Sequence, residues 1–272
     1  MNVKDNCVKW IKDYFKDNPD GKAIIGISGG KDSTIAAALC VEALGADRVI
    51  GVMMPNGAQN DIDDSYAVVA RLKLQYHVIN IGMACASLYS TIARAVFLSN
   101  GDKAIRENSM ITTNAPARLR MATLYAVAAL YPNSRVVNTC NRSEDYVGYS
   151  TKYGDAAGDF SPLGNLTVRE VLAIGDELGL PSHLVHKTPS DGMCGKTDED
   201  NLGFTYEQLD NYILGTGAVD AEVVEKIEKL HKATRHKYQP IPTFTADDFH
   251  IFAGMRYEQL SLFDYSKQEG GE

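Results

Sequence analysis

An apolar segment that runs into two glycines and then into a helical segment is the feature that most constrains this fold. Residues 24–33 read Ile-Ile-Gly-Ile-Ser-Gly-Gly-Lys-Asp-Ser. Glycines let backbone N–H groups approach an anion closely, and a helix N-terminus adds partial positive charge. A strand, a glycine turn and a helix in this order therefore predict a phosphate-binding loop within an α/β protein.

The spacing within this loop separates it from the two commonest nucleotide-binding motifs. A Walker loop needs four residues between its first glycine and a Gly-Lys pair, but three lie between Gly26 and Gly30. The G-x-G-x-x-G spacing is missing as well. The remaining pattern, Ser-Gly-Gly-x-Asp-Ser after a strand, resembles the pyrophosphate loop of the N-type ATP pyrophosphatases, which cleave ATP between its α- and β-phosphates. The structural alternative is an ordinary glycine-rich turn, in which Ser28 caps the helix and Asp32 complements its dipole.

The composition is that of an ordinary globular protein, with 44% hydrophobic and 23% charged residues among 272. A net charge of −8, without a compensating basic cluster, argues against a protein that grips nucleic acid. Five scattered cysteines form no C-x-x-C pair, which favours reduced thiols over a zinc or redox centre. Because no apolar run reaches membrane-spanning length and no signal-peptide pattern is present, we expect a cytoplasmic protein without a membrane partner.

Hydrophobic periodicity predicts an alternation of helices and strands. The predicted strands are 22–27, 49–54, 77–81 and 135–139, and the predicted helices are 3–16, 32–44, 61–74, 84–97, 116–130, 168–178, 206–214 and 221–235. The β-α-β-α-β rhythm indicates a parallel sheet with ligands at the carboxyl ends of its strands. We therefore predict an α/β fold of three layers around a parallel, Rossmann-like sheet, as one domain over residues 1–272 with extra C-terminal helices.

Several separated motifs carry one resemblance. They are residues 26–33, 114–121, 139–144, 151–159, 189–191, 198–203 and 234–237. On these motifs the chain resembles the ammonia-dependent NAD synthetases over almost its full length. The resemblance implies the adenine nucleotide alpha hydrolase-like fold and a two-step reaction. The nicotinate carboxylate of deamido-NAD attacks the α-phosphate of ATP and releases pyrophosphate, and ammonia then displaces AMP to give the amide.

The resemblance also implies which residues form the site. The expected ATP contacts are Gly26, Ile27, Ser28, Gly29, Gly30, Lys31, Asp32, Ser33, Gln59, Thr139 and Ser190. The expected deamido-NAD contacts are Asn114, Arg118, Lys152, Asp155, Asp159, His236 and Lys237. Magnesium takes hard oxygen ligands and usually only one or two protein carboxylates, which suits Asp32 and Glu144.

Two residues are expected to act directly in the chemistry. Lys31 is expected to face the departing pyrophosphate, and Asp155 is the candidate base that accepts a proton from ammonia as it attacks. Asp159 is expected to bind the substrate, although the roles of the two aspartates could be exchanged. Arg118 and Arg120 lie two apart on a predicted helix and cannot share a face, so Arg120 is interpreted as a structural residue.

The chain departs from the family pattern at four positions. Met53 aligns with an arginine that contacts ATP, and Val168 aligns with a lysine whose charge the adjacent Arg169 could replace. Ser190 stands at a position of threonine, and Asn138 at a position of glycine. These departures concern ATP affinity and local backbone shape more than the type of reaction.

The remaining expectations concern a lid, partners and alternatives. The polar stretch 190–203 is expected to close over ATP, and the family implies a homodimer. The residues outside the synthetase match are too few for a glutaminase domain, although a separate glutaminase partner stays possible. The alternatives are another pyrophosphate-loop ligase, resembling GMP synthetase or a tRNA-modifying enzyme, and a non-catalytic ATP-binding regulatory domain.

Overall fold

The computed structural model describes residues 2–59, 61–96, 101–187 and 197–244. The strands are β1 (Ala23–Gly26), β2 (Val49–Met53), β3 (Gln75–Val78) and β4 (Arg135–Val136). The helices are α1 (Val3–Tyr14), α2 (Lys31–Leu44), α3 (Ile62–Leu72), α4 (Gly82–Val96), α5 (Gly101–Glu107), α6 (Ser109–Ala128), α7 (Arg142–Val147), α8 (Val168–Glu177), α9 (Ser182–Val185), α10 (Asp198–Leu202), α11 (Tyr206–Leu214) and α12 (Ala221–Thr234). A 3₁₀ turn at Arg235–Lys237 follows α12.

The four strands form one parallel sheet in the order β3-β2-β1-β4. The chain builds outward from β1 through β2 to β3 and then returns to add β4 on the other side of β1. The order of the strands thus reverses between β1 and β4. In open α/β sheets the crevice at such a reversal, beyond the carboxyl ends of the strands, is where ligands bind.

Side chains alternate across β1, which gives the sheet one apolar core on each face. Ile25 packs with Leu39 of α2 and Val171 of α8 in one cluster. Ile24 packs with Cys85 of α4 and Val127 of α6 in the other. The central strands are buried on both sides because helices cover both faces, as parallel sheets require. A third cluster joins α7, α11 and α12 beyond the sheet.

The fold class predicted from the sequence is confirmed, but several boundaries are different. β3 occupies 75–78 rather than 77–81, because Lys73 adopts a left-handed conformation (φ 54°) that ends α3 early. α6 begins at Ser109, well before the predicted start at Pro116, because the side chain of Asn108 caps its N-terminus and accepts from the Ile111 N–H at 3.2 Å. Pro116 therefore lies inside the helix, where it removes one backbone donor.

Other elements also differ from the prediction. The short helices α5, α7, α9 and α10 were not predicted, and β4 pairs over only Arg135–Val136 before Val137 makes an isolated parallel bridge to Phe160. Residues 1–238 form one compact unit. The single-domain prediction for 1–272 stays a prediction, since most residues beyond 238 lie outside the described ranges. None of the described helices is both long and apolar enough to cross a bilayer.

Candidate active site

The glycine loop occupies the strand reversal beside the carboxyl end of β1. Gly29 has φ +82°, a left-handed conformation that favours glycine, and Gly30 is the N-cap residue of α2 without a capping side chain. Ser28 Oγ lies 2.9 Å from Ser33 Oγ and accepts from Gly30 N–H at 3.1 Å. The loop is thus held in shape by its own hydroxyls, and the α2 N-terminus carries the partial positive charge that attracts phosphate.

Two carboxylates and one lysine meet at the start of α2. Lys31 Nζ lies 2.6 Å from Asp32 Oδ2 and 3.9 Å from Glu144 Oε1. Only 6% of the Lys31 side chain is exposed, so its ammonium group is held between the two carboxylates. The structure therefore brings together the three residues predicted for magnesium and pyrophosphate.

Burial and mutual charge shift the ionisation of this group. Burial acts to lower the pKa of Lys31, but the negative charges of Asp32 and Glu144 outweigh it and raise that pKa. Burial, followed by the charge of Asp32, raises the pKa of Glu144 well above its ordinary value. The two carboxylates repel each other and require a cation, which is the electrostatic condition for holding a metal ion.

Asn141 connects the loop after β4 to the loop after β1. It is fully buried, and its Nδ2 donates to Asp32 Oδ1 at 3.0 Å. Its Oδ1 accepts from the Glu144 N–H at 3.0 Å, which caps α7, and the Glu144 carboxylate accepts in turn from the Asn141 N–H at 3.4 Å. This capping box fixes Glu144 relative to Asp32.

A cavity of about 470 Å³ opens beside Lys31. Tyr206 of α11 forms part of its wall, with the Lys31 ammonium 5.6 Å from the ring centroid, and the Tyr206 hydroxyl donates to Asp198 Oδ2 at 3.3 Å. The lining residues include Arg169, His186, Lys187, Thr197, Glu199 and Asp210. The cavity therefore combines charged side chains of both signs with an apolar wall formed by Val168, Leu172 and Val185.

A second group of predicted residues gathers around the loop at 148–155. Asn114 Oδ1 accepts from Thr151 Oγ1 at 2.8 Å, and Arg118 Nε donates to the Lys152 carbonyl at 3.2 Å. Both contacts come from α6, one turn apart. Arg118 keeps an exposed position, whereas Arg120 Nε donates to the carbonyl of Met54 at 3.1 Å. The two arginines point to different partners, as their spacing predicts.

The turn after α12 closes the other side of this loop. Lys152 Nζ donates to the His236 carbonyl at 2.7 Å. Lys237 Nζ donates to the carbonyls of Gly148 at 2.6 Å and Ser150 at 2.7 Å. The three basic residues predicted to contact deamido-NAD at Lys152, His236 and Lys237 are thus neighbours in space.

Asp155 lies inside this loop. Its Oδ1 accepts from the Thr151 N–H at 2.7 Å, and burial raises the pKa of its carboxyl despite that bond and the nearby charge of Lys237. Asn138 braces the Asp155 loop. Its Nδ2 donates to the Asp155 carbonyl at 2.9 Å, and its Oδ1 accepts from Ser161 Oγ at 2.9 Å. Asp155 is therefore a partly desolvated carboxyl on a well-braced loop.

Asp159 makes a different set of contacts. Its Oδ2 accepts from the Val136 N–H at 2.7 Å, and its Oδ1 accepts from the Tyr125 hydroxyl at 3.1 Å. Both oxygens are therefore engaged in holding the loop against β4 and α6. The structure does not bring the Asp159 carboxylate into the group formed by Arg118, Lys152 and Lys237.

The remaining predicted positions are Gln59, Thr139, Ser190 and the lid. Gln59 Nε2 donates to Asp61 Oδ1 at 3.0 Å, near the start of α3. Thr139 is half-buried beyond the carboxyl end of β4. Ser190 and the first part of the predicted lid lie outside the described residues, and the rest of the lid, 197–203, contains the short helix α10.

The structure shows the surroundings of Met53 and Val168, two positions at which the chain departs from the family pattern. Met53 is 1% exposed within β2 and is not part of the cavity lining. Val168 is buried, and Arg169 lines the cavity while its Nη2 donates to Asn211 Oδ1 at 2.7 Å. The guanidinium of Arg169 is therefore near the cavity but already engaged by an amide.

Sequence reasoning missed three residues that organise the site. Asn141, Tyr206 and Asn138 each contact residues far away in the chain. Asn141 had a local indication, because an asparagine three residues before a glutamate is typical of a capping box. The contacts of Tyr206 with Lys31 and Asp198 had none, since aromatic residues of helices are usually ordinary core.

The comparison with known proteins identifies the family. A profile described as NAD synthase matches residues 3–241. The chain belongs to the NAD synthase family. One curated relative in this family, the NH3-dependent NAD(+) synthetase of Pyrococcus furiosus, is 36% identical over 250 residues, covering 86% of this chain and 91% of the relative.

Solved structures of the family share this fold. The NMN synthetase from Francisella tularensis has a TM-score of 0.79 and 33% identity, and the match covers 89% of this chain and 96% of that one. An NH3-dependent NAD synthetase from Campylobacter jejuni has a TM-score of 0.70 and 26% identity, covering 90% of this chain and all (100%) of that one. The resemblance inferred from the sequence is confirmed.

Proposed function

We propose that this protein is a ligase that forms a C–N bond, amidating deamido-NAD to NAD with ammonia at the expense of ATP. The observation that carries the proposal is the strand reversal between β1 and β4. It places the glycine loop, the Asp32 and Glu144 carboxylates and the loop of Lys152 and Asp155 at one edge of the sheet. Membership of the NAD synthase family supports the same activity.

The first step transfers AMP to the acceptor. An oxygen of the nicotinate carboxylate attacks the α-phosphorus, the bond to the bridging oxygen breaks, and pyrophosphate leaves with the electron pair. The α2 N-terminus and the Ser28 and Ser33 hydroxyls donate to phosphate oxygens, and Lys31 contributes positive charge near the leaving group. These groups stabilise charge that develops as the bond breaks.

Asp32 and Glu144 would hold Mg²⁺. Within the described residues no cluster of three or more metal-binding side chains occurs, so this part of the chain supplies no complete metal cage. Two carboxylates with phosphate oxygens and water match the usual coordination of Mg²⁺. When bound, the metal would neutralise charge on the phosphates and on the two carboxylates.

The second step displaces AMP by ammonia. The nitrogen attacks the acyl carbon of the adenylate, the C–O bond to AMP breaks, and the nitrogen loses a proton. We assign the base to Asp155, because its carboxyl lies near the charge of Lys237 in the proposed acceptor cluster, whereas the Asp159 carboxylate accepts from Val136 and Tyr125. Burial raises the pKa of Asp155, which suits a group that accepts protons near neutral pH.

The acceptor is held from two sides. Asn114 and Arg118 approach from α6, and His236 and Lys237 approach from the turn after α12. A planar guanidinium suits a carboxylate or a phosphate, and Arg118 has the exposure to reach one. We assign this cluster to the nicotinate nucleotide.

A second candidate concerns the size of the acceptor. The solved structure with a TM-score of 0.79 is described as an NMN synthetase, which forms the amide of a mononucleotide. The same chemistry on nicotinate mononucleotide needs the carboxylate and one phosphate but no second nucleoside. This similarity makes nicotinate mononucleotide the alternative acceptor.

We further propose a homodimer. Apolar side chains remain exposed on α4 and α6, including Met83 at 87% and Met110 at 70%. Leu130, just beyond α6, is 76% exposed. These exposed apolar side chains on and beside two contacting helices support an association surface there. We also place the protein in the cytoplasm, because the described cysteines are free thiols at buried or half-buried positions.

One assay tests the function and the acceptor together. Pyrophosphate, AMP and amide product are measured from Mg-ATP with deamido-NAD or nicotinate mononucleotide, with and without ammonia. We expect NAD only when ammonia and deamido-NAD are both present, and no turnover by Asp32→Ala. A higher kcat/KM with nicotinate mononucleotide would select the second candidate. Pyrophosphate release that needs no acceptor, or ATP binding without turnover, would refute both.

A further inference from the structure

Lys187 is a second lysine in the wall of the cavity that opens beside Lys31. It follows α9 and the His186 C-cap, and it lines the same cavity as Lys31. None of the sequence motifs includes it. Its side chain is 30% exposed, whereas that of Lys31 is 6% exposed. Lys187 therefore has freedom to move that Lys31 lacks.

Two carboxylates hold Lys187 at the start of α3. Its Nζ lies 2.5 Å from Asp64 Oδ2 and 3.2 Å from Asp61 Oδ2. The hydrogen bond that Lys187 donates to Asp64 is the main cause that raises the pKa of Lys187, so its ammonium stays charged. Lys187 and these two partners are more than 120 residues apart in the sequence, so only the tertiary structure brings them into contact.

This ion-pair cluster directly adjoins the glycine loop. A Cβ added at Gly29 would lie 2.9 Å from Asp64 Cβ and 3.0 Å from Ser65 N. The first turn of α3 is therefore packed against the loop that binds phosphate. Gln59, a predicted ATP contact, donates to Asp61 within the same cluster. Lys187 is consequently anchored to the start of α3, next to the glycine loop.

The site needs a cation that stays in contact with the β- and γ-phosphates as pyrophosphate leaves. The charge of Lys31 is already shared between Asp32 and Glu144. Met53 is buried in β2 and supplies none. The leaving pyrophosphate carries several negative charges, and each must be met by donors or cations as the bond to the α-phosphorus breaks. Lys187 is a half-exposed ammonium in the same cavity.

We infer that Lys187 binds the β- and γ-phosphates of ATP and the departing pyrophosphate, exchanging its contacts with Asp61 and Asp64 for phosphate oxygens. It contributes charge and donors, and no proton is transferred. When the bond between the α-phosphorus and the bridging oxygen breaks, its electron pair leaves with pyrophosphate. This inference rests on the proposed function for its substrate, ATP.

Binding of inorganic pyrophosphate in the presence of Mg²⁺ tests the inference without an acceptor. Calorimetry compares the wild-type protein with Lys187→Met, Lys187→Gln and Lys187→Arg. Loss of a charge-assisted contact is expected to raise the Kd for pyrophosphate and the KM for ATP by about tenfold or more in the Met and Gln variants. Lys187→Arg is expected to recover most of the affinity, and the KM for the acceptor to stay within about twofold in all three.

The matched control is Lys9→Met. Lys9 Nζ also lies 2.5 Å from a carboxylate, Asp13 Oδ2, but on the exposed face of α1. Its removal is expected to leave pyrophosphate binding unchanged. Lys187→Gln keeps a side-chain donor for Asp64, so it remains informative if Lys187→Met does not fold.

Three results would decide against the inference or its basis. Wild-type affinity for pyrophosphate in folded Lys187→Gln would show that Lys187 only ties α9 to α3. An equal loss of affinity for ATP and for the acceptor would indicate a general disturbance of the fold and would overturn a specific phosphate contact. Failure of the wild-type protein to bind either ATP or pyrophosphate would refute the proposed function itself, which is a separate outcome.

Discussion

The Asn141 amide donates to Asp32 Oδ1 at 3.0 Å, across 109 residues of sequence, and so joins the two loops at the strand reversal. The same side chain caps α7 by accepting from the Glu144 N–H at 3.0 Å. One buried asparagine thus sets the separation between the two proposed metal ligands. A polar side chain that is completely buried must have its hydrogen bonds satisfied, and Asn141 uses both ends of its amide.

Asn141→Ala is expected to lower both stability and magnesium affinity. Loss of a cap and of a bond to a charged group is expected to reduce the free energy of unfolding by about 2–4 kcal/mol. The magnesium concentration for half-maximal activity is expected to rise, because Asp32 and Glu144 lose their common brace. Urea unfolding and magnesium titration of the activity measure the two effects.

Asn2→Ala is the matched control. Asn2 caps α1 by accepting from the Asp5 N–H at 2.8 Å, and its Nδ2 donates to Glu177 Oε2 at 2.8 Å, but both contacts are exposed. We expect a loss of about 1 kcal/mol and an unchanged magnesium requirement. A magnesium requirement that Asn141→Ala leaves unaltered would contradict the proposed role of Asn141.

Lys31→Met is expected to leave Asp32 and Glu144 as uncompensated neighbours. Removal of one partner from a buried charge cluster typically costs about 3–5 kcal/mol. Magnesium should then raise the Tm of the variant more than that of the wild-type protein, since the ion replaces the missing charge. Differential scanning calorimetry with and without Mg²⁺ provides the measurement. Lys226→Met, which breaks an exposed pair with Glu222 on α12, should show no such difference.

Asn138→Ala is expected to loosen the loop that carries Asp155. Asn138 makes bonds to the Asp155 and Ala157 carbonyls, to Ser161 and to the Cys140 N–H. The variant should lose about 2–4 kcal/mol of stability and show faster amide hydrogen exchange at 155–161. The KM for the acceptor should rise in parallel.

Asn80 provides the comparison for Asn138. It braces another loop of the site, with its Nδ2 donating to the Gly57 carbonyl at 2.8 Å and its Oδ1 accepting from the Gly82 N–H at 2.9 Å. Asn80→Ala should lower stability but leave the KM for the acceptor unchanged. Equal effects of both variants on that KM would argue against a specific link between Asn138 and the acceptor.

Asp145→Asn is expected to stabilise the protein at high pH. Burial is the main cause that raises the pKa of Asp145 to about 6, and its Oδ1 is buried without a hydrogen-bond partner among the described residues. The folded state therefore binds this proton more tightly than the unfolded state does. The associated stability is present below about pH 4 and is lost as the pH rises through about 6.

Urea unfolding at several pH values checks this sign. At pH 8 the variant should exceed the wild-type free energy of unfolding by on the order of 2 kcal/mol, with the difference shrinking toward pH 5. Asp20→Asn, at an exposed turn position, is the matched control. A constant difference between pH 5 and pH 8 would contradict the assignment to Asp145.

Local patterns predicted most of the elements but not all of their limits. The glycine loop and α2 lie where the sequence places them, because the strand, turn and helix preferences agree there. β3 and α6 show where local reasoning fails. Pro116 predicts a helix start, but packing of α6 against β1 and its Asn108 cap extend the helix before it. An edge strand with the exposed residues Gln75 and Tyr76 has no clear alternation to locate it.

For the site, too, local sequence motifs predicted some features and tertiary packing decided the others. The motifs named Lys31, Asp32 and Glu144, and the structure brings them together. They also named Asp155 and Asp159 without distinguishing them. Only the fold engages Asp159 with Val136 and Tyr125 and leaves Asp155 inside the basic cluster.

The sequence by itself determined the family, the parallel sheet and the residue types that meet phosphate, because these depend on short motifs and on the period of apolar residues. Tertiary structure decided which polar groups became partners. Asn141 with Asp32, Tyr206 with Lys31 and Lys187 with Asp64 are all contacts over more than 100 residues. Such pairs depend on the order in which the strands assemble, and that order is a property of the whole chain packing at once.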